Sequence, residues 1–553
     1  MNDVVSSPRA ELVELLWQLK QNFDQLGDNS LRFIHFNTLL NDPAYRAEII
    51  ARAAASDNRK IRQLGERLQQ ANRDGVLLKK PATSAAKPTP SLMNPDIAET
   101  LGSQISQQAE TRRRRVLPVW LMLVTALLMV GGYFAYPPLQ RLLAGERTVS
   151  GSLFGDQHWY AGTTVILSGI VYVEPGATLT IDPGTRIEGN PGSALIITRG
   201  ATLFARGQAQ APIVFTSGQA TGTRTAGDWG GVVMLGSAPV NVADAQIEGL
   251  PAGDRHGAFG GTDPASSCGV MEYTRIEFAG FEVYANNELN GLTLGGCGSD
   301  TIIRNVQIHR ALDDGIEIFG GNVDLRHIVI TGAGDDSLDW DMGWRGRVQF
   351  LVAEQYANVG DNGFEGDNLK GHPNAQPVSE PTMYNVTLLS PRSHEKYHRA
   401  MTLRRGTGGH FHNLLIDGFS GESIDIKDPE TVARIEQGKL SFSNMMVDRI
   451  GNRGTTFFAN ESMDSDDDGG FDERHYFLSS AVKSQFGTDP MFTRDATSQS
   501  HPDFAPSSLS PARNGASSIP QGEFWDEAAN YLGAIRPGSS HSWVDGWTAF
   551  PLN

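Results

Sequence analysis

Ala311-Leu-Asp-Asp-Gly-Ile-Glu-Ile, Ala333-Gly-Asp-Asp-Ser-Leu-Asp-Trp and Val359-Gly-Asp-Asn-Gly-Phe-Glu-Gly are three versions of one phrase. Asp313 stands 22 residues before Asp335, and Asp335 stands 26 before Asp361. Further upstream, Gly176-Ala-Thr-Leu returns as Gly200-Ala-Thr-Leu after 24 residues. Periods of this length, built from short β-branched runs broken by Gly, Asn and Asp, predict a solenoid. Each turn of such a fold buries its apolar side only by stacking on its neighbours. Short strands precede the acidic phrases, among them Val306-Gln-Ile-His, Leu325-Arg-His-Ile-Val-Ile and Val348-Gln-Phe-Leu-Val.

Working outward, the 553 residues exceed what one compact core holds, so more than one folded unit is expected. Residues 1–115 carry 17 Lys/Arg against 13 Asp/Glu, whereas residues 137–553 carry 29 against 50. The acidic body argues against nucleic acid and anionic polymers as general partners, because phosphate binding needs clustered cations, and is compatible with divalent cations, neutral glycans or basic protein surfaces. Residues 1–80 predict a small α-helical domain, with helical spacing in 8–25, 43–55 and 58–73. Residues 81–115 are rich in Pro, Ala, Ser, Thr and Gln and read as a flexible linker. Val116–Tyr136 is an uncharged run of 21 residues, preceded by Arg112-Arg113-Arg114-Arg115. Its length predicts a single-pass transmembrane helix, a signal-anchor in the inner membrane. The basic flank predicts a cytoplasmic N-terminus and a periplasmic or extracellular C-terminal part. The two cysteines, Cys268 and Cys297, then lie outside on neighbouring coils and are expected to form a disulfide.

The run of strands resembles the right-handed parallel β-helix, the pectin-lyase-like class, over residues 150–460. Pro212-Ile-Val-Phe-Thr-Ser with Gly227-Asp-Trp-Gly-Gly-Val-Val resembles the opening of a β-helix family of bacterial envelope and secreted proteins. Tyr531-Leu-Gly-Ala-Ile and Trp543-Val-Asp-Gly-Trp-Thr resemble that family's ending. The resemblance implies a mainly β fold, with residues 461–553 as a C-terminal capping region containing an acidic loop.

Asp313, Asp314, Asp335, Asp336 and Asp361 fall at equivalent turn positions on three consecutive coils. Glu317, Asp339 and Glu365 form a second column, which Asp425 extends. Stacked carboxylates repel, so they need turn-amide hydrogen bonds, counter-cations or raised pKa values. Leu312-Asp313-Asp314-Gly315 and Gly334-Asp335-Asp336-Ser337 are similar to the Asn-Thr-Asp-Gly and Gly-Asp-Asp-Cys motifs of polygalacturonase-type glycosidases. That resemblance implies Asp314, Asp335 and Asp336 as catalytic acids. Where those enzymes carry Gly-His-Gly, this chain has Gly360-Asp361-Asn362-Gly363. Without catalysis, Asp313, Glu317, Asp339, Asp361 and Glu365 would bind a glycan or a cation. Asp464, Asp466 and Asp468, followed by Gly469, match the first half of a calcium loop, which makes calcium the expected metal.

Three function classes follow. The expectation placed first is a membrane-anchored envelope protein whose β-helix binds a glycan or protein outside, while its helical domain contacts a cytoplasmic partner. The alternatives are a polysaccharide hydrolase or lyase using the stacked Asp ladder, and a structural spacer.

Overall fold

The computed structural model describes residues 43–56, 59–73 and 145–553, apart from 252, 285–286, 392–395, 452–453, 455 and 459–467. The chain divides into two compact units, residues 1–137 and 138–553.

In the first unit the described residues form two helices, Pro43–Ala54 and Arg59–Arg73. Ile49, Ile50 and Ala53 of one and Ile61, Leu64 and Leu68 of the other are buried at helical spacing. Gly65 permits their close approach, since a Cβ there would meet Ala54 N at 2.3 Å. The stretch 8–25 lies outside the described residues.

The transmembrane expectation is corrected here. Among the described residues no helix is long and apolar enough to cross a membrane. The two helices of 12 and 15 residues reach about 18 and 22 Å, short of the ~30 Å hydrocarbon core, and both carry several charges. The run Val116–Tyr136 lies outside the described residues. The signal-anchor, the integral-membrane partner role, the inner-membrane localisation and the cytoplasmic and periplasmic topology all rested on that helix and are withdrawn. With them goes the reading of an anchored binding module that contacts an unknown cytoplasmic protein.

The second unit is a parallel β-solenoid. One sheet stacks Ala194–Ile197, Val232–Leu235, Leu292–Gly295, Ile316–Phe319, Leu338–Asp341, Asn362–Gly366, Arg399–Leu403 and Ile424–Ile426. Facing into the coil are Ile316, Leu338, Phe364, Met401 and Ile424, which are in register and at most 1 % exposed.

The longer strands, such as Ile302–His309, Asp324–Thr331, Arg347–Glu354 and Thr382–Leu389, are each bent in two. Their bends align at Asn305, His327, Phe350, Asn385, Asn413 and Asn444, all with φ between 53° and 65°. Asn tolerates this left-handed conformation best among residues with a side chain, which explains its recurrence there. The bend turns the strand onto a second face, and each coil closes around its apolar interior.

The C-terminal segment covers the outer side of these bent strands instead of only closing an end. Asn385 Nδ2 donates to Ala529 O (3.1 Å) and Tyr531 O (2.7 Å), and Asn444 Nδ2 donates to Gly515 O (2.6 Å). Leu532, Ala534, Ile535 and Trp547 pack on Val329, Val352, Leu415 and Met446. The apolar residues facing outward on this sheet are thus kept from water.

Cys268 and Cys297 are bridged, with Cα atoms 5.6 Å apart and both residues fully buried. Closing a loop of this length restricts the unfolded chain by about 3–4 kcal/mol. The double variant Cys268→Ser/Cys297→Ser is expected to lose about that much stability in urea, and unreduced denatured protein should titrate no free thiol. Two free thiols would contradict the bridge.

Candidate functional site: a ladder of buried carboxylates

The repeated phrase folds as a tight turn followed by a short strand of the first sheet. Gly334 stands where a Cβ would lie 1.7 Å from Leu312 O, so the turns stack only with Gly there. Asn290, Asp314, Asp336 and Asn362 form one column across four coils. Asn290 Oδ1 accepts from Asp314 N at 3.2 Å, Asp314 Oδ1 from Asp336 N at 2.8 Å, and Asp336 Oδ1 from Asn362 N at 2.7 Å. Each carboxylate therefore caps the backbone of the next coil through one oxygen and keeps the other.

On the adjoining strands Glu317, Asp339, Glu365, Thr402 and Asp425 pair in register on the outward face. The outward pointing follows from period two, since Ile316, Ile318, Leu338 and Trp340 take the inward positions. Parallel strands lie about 4.8 Å apart, so like-charged side chains are stacked nearly in contact. The two columns meet in three overlapping groups: Asp313, Asp314 and Asp335; Asp314, Glu317 and Asp339; Asp336, Asp339 and Glu365. In each group one oxygen per residue lies within 4.8 Å of the others.

Burial, then the surrounding carboxylates, holds Asp314 and Asp339 well above the usual carboxylate range. Glu317 and Asp336 are raised in the same way, and their hydrogen bonds with Asn290 and Asn362 only partly oppose the shift. Asp313 is pushed up to about 7 by burial and by Asp335, Glu288 and Glu248. Glu365 is also raised to about 7 by burial, against the pull of Arg404. Arg404 bonds both Glu365 and Asp367, and Arg405 bonds Asp367. At the next coil Arg399 pairs with Glu422 (2.6 Å) and Asp425 (3.3 Å). Among the described residues no Arg or Lys forms an ion pair with Asp314, Glu317 or Asp339. Asp339 Oδ1 is buried and has no hydrogen-bond partner.

This donor set fits a hard divalent cation. Calcium takes six to eight oxygens at about 2.3–2.6 Å, so ligands around one ion stand up to ~5 Å apart, the spacing found in each group. With no thiolate or imidazole in the groups, the softer transition metals are disfavoured.

The fold thus brings Asp313, Asp314, Glu317, Asp335, Asp336, Asp339 and Glu365 together. Asp335 stands at the mouth of the ladder, and desolvation by its surroundings, then Asp361, half-buried on the next coil, raise its pKa. Asp425 sits at the ion-paired end, with Lys427 at 3.6 Å. Of the expected calcium loop, Asp464 and Asp466 lie outside the described residues, while Asp468 Oδ1 caps the turn at Gly470 N (2.7 Å) and Phe471 N (2.9 Å). Sequence reading missed Asp341, raised to about 7 by burial, together with Asp367, Arg404, Arg405 and the turn-column Asn290. Asp341 was legible as the next outward position after Asp339. Asp367 was legible in the same way after Glu365, and Asn290 as the turn position one coil before Asp314, while Arg404 and Arg405 follow the next strand of the same stack.

Residues 151–474 match the family described as "Pectate-lyase like beta helix domain". No curated protein matches the chain. Among solved structures, the crystal structure of pectate lyase Pel9A aligns at 11 % identity with a TM-score of 0.31, covering 68 % of this chain and 88 % of that one.

Proposed function

Since the chain belongs to the pectate-lyase-like β-helix family, we propose that it is a cation-dependent enzyme that cleaves an acidic polysaccharide at the carboxylate ladder. The observation that carries this reading is the set of three carboxylate groups sharing members within 4.8 Å on consecutive coils. A hydrolytic pair needs two carboxyl groups about 5–5.5 Å or 6.5–9.5 Å apart, and a crowd of seven serves that purpose poorly. A crowd of oxygens does suit a cation, and an acidic polymer needs one to approach an acidic groove. Calcium is the ion we assign, with Asp339 common to two overlapping groups, one completed by Asp314 and Glu317 and the other by Asp336 and Glu365. When bound, it would neutralise a uronate carboxylate of the polymer and make the adjacent C–H more acidic, as β-elimination requires.

The chain's own residues have separable roles. Asp314 and Asp336 are oriented by the amides they cap, which fixes their free oxygens toward the strand column. Arg404, tied to Glu365 and Asp367, stays protonated and presents positive charge beside the ladder without serving as a base. Asp335, the exposed carboxylate, and the half-buried Asp313 beside it are the groups we assign to exchange a proton with a sugar lying across the turns.

The test is incubation of the protein with polygalacturonate, with calcium or with chelator. Unsaturated product ends, seen by ultraviolet absorbance, are expected only with calcium. New reducing ends without unsaturation would identify a hydrolase instead. No cleavage of any acidic polysaccharide across pH 4–9 would end the enzyme reading.

A further inference from the structure

A second polar column, away from the ladder, lies under the C-terminal segment. His309, Thr331, Glu354, Leu389, Asp417 and Asp448 end the bent strands and pair in register. They share the outward side with Val329 and Val352, two residues before Thr331 and Glu354. Glu354 is fully buried, and neither of its carboxyl oxygens has a hydrogen-bond partner.

The neighbours explain why no donor reaches it. His309 Nε2 faces Pro551 O at 2.8 Å, and a carbonyl only accepts, so Nε2 carries the ring proton. Burial pushes this imidazole down to about 3, which leaves it neutral with Nδ1 as an acceptor. The Thr331 hydroxyl, 2.7 Å from Nδ1, therefore donates to His309 and has no proton left for Glu354. Leu389, on the other side, has nothing to donate. Arg310 lays its guanidinium against the Tyr356 ring, 4.9 Å from the centroid, and donates to Gln499 Oε1 at 3.0 Å. Tyr356, raised by burial, is neutral. Asp495, from the C-terminal segment, is the other charge facing Glu354, and it repels a carboxylate. A carboxyl group buried without a donor keeps its proton.

Ionisation of Glu354 would strain whichever side yields more easily. Its own strand, Arg347–Glu354, is paired on both edges, by Asp324–Thr331 and by Thr382–Leu389. The covering stretch 489–505 contains no strand, and one bridge, Phe492 with Pro506, ties its ends among the described residues. Ala496, Phe504 and Ala505 seat it on Val329, Val352 and Leu389. Two coils beyond Glu354, a cavity of about 300 Å³ lined by Asp417, Asp448 and Asp495 already parts the cover from the column. The cover is the side that yields.

We propose that Glu354 is a proton latch for this cover: protonated, it lets residues 489–505 lie on the bent strands, and on losing its proton to solvent it lifts them off and bares Val329, Val352 and Leu389. Burial, then Asp495, holds the folded pKa well above the ordinary 4.5, against the pull of Arg310. Such a group stabilises the closed form fully below its ordinary pKa, and that contribution is lost as pH climbs toward the folded value. The cover is therefore tightest in acid and loosens as pH rises.

Hydrogen exchange read by mass spectrometry tests this on the full chain, as protection factors, which remove the intrinsic pH dependence of exchange. In wild type the protection of 489–505 is expected to fall about tenfold or more from pH 5 to pH 8, since one group changes an equilibrium up to tenfold per pH unit. The strand Arg347–Glu354, which reports any general loosening, should change much less. Glu354→Gln and Glu354→Leu cannot ionise and should flatten the fall, the second extending the apolar surface of Leu389. No fall in wild type, an equal fall in the strand, or the same fall in a folded Glu354 variant overturns the latch.

Discussion

Asp336→Asn is expected to lower polysaccharide cleavage about a hundredfold or more while the solenoid survives intact. The substitution is nearly isosteric, and the new amide keeps an oxygen to accept from Asn362 N, the bond that Asp336 Oδ1 now makes at 2.7 Å. What it removes is charge from the group shared with Asp339 and Glu365. Loss of one ligand from a hard-cation site lowers affinity and misplaces the ion, and positioning losses in catalysis reach 10²-fold. The distinguishing feature is the sign of the stability change. Without metal, relief of carboxylate repulsion should leave the variant's melting temperature at neutral pH equal to or above that of wild type. A large drop in the metal-free melting temperature would mean that Asp336 is chiefly a turn cap. Unchanged activity would remove it from the site.

The metal-free protein should also lose stability as pH rises through neutrality, and calcium should restore it. Asp313, Asp341 and Glu365 have folded pKa values of about 7, raised above their unfolded values by burial first. A raised carboxylate binds its proton more tightly in the folded chain. Its contribution is fully present below the unfolded pKa, near 4, and is lost as pH climbs through about 7. Each pKa unit is worth about 1.4 kcal/mol, so the ladder as a whole loses several kcal/mol between pH 4 and 8. Calcium competes with those protons, and at a hundred times its dissociation constant it adds about 2.7 kcal/mol. Melting curves in chelator should therefore fall from pH 5 to pH 8, and the gain from calcium should be larger at pH 8 than at pH 5. A gain independent of pH, or none, would place the cation away from the ladder.

Much of the ladder could be read before any coordinates. Three phrases of one pattern placed Asp314 and Asp336 in stacked turns, and Glu317, Asp339 and Glu365 on stacked outward positions. The period alone requires that, because a solenoid coil repeats its bend at each turn. Burial was not legible. Asp314 and Asp336 are 6 % and 3 % exposed because neighbouring coils and loops close over them, and a hydrophilic phrase gives no sign of it. The pairing of Arg404 with Glu365 and Asp367 depends on how the coil after the 367–381 loop is registered.

The membrane expectation shows the opposite limit. Val116–Tyr136 satisfied a rule of length and charge, yet the described helices Pro43–Ala54 and Arg59–Arg73 are short and charged. The topology built on that run rested on two sequence rules, the length of the run and its Arg112–Arg115 flank. The disulfide shows why a second observation matters, since Cys268 and Cys297 were placed on neighbouring coils by the same period that placed the acids.

The sequence by itself determined the solenoid, its register and the columns of like residues, because these follow from short-range periodicity that every coil repeats. Tertiary structure alone decided which carboxylates share a cation-sized space, which of them gain an arginine, and where the C-terminal segment lies. It also decided that the loops at 239–243 and 369–375 face one another across a cleft. The last two depend on contacts between residues more than a hundred positions apart, such as Asn385 with Tyr531 and Asn241 with Asn368. Their free energies belong to packing and desolvation, which no local pattern encodes.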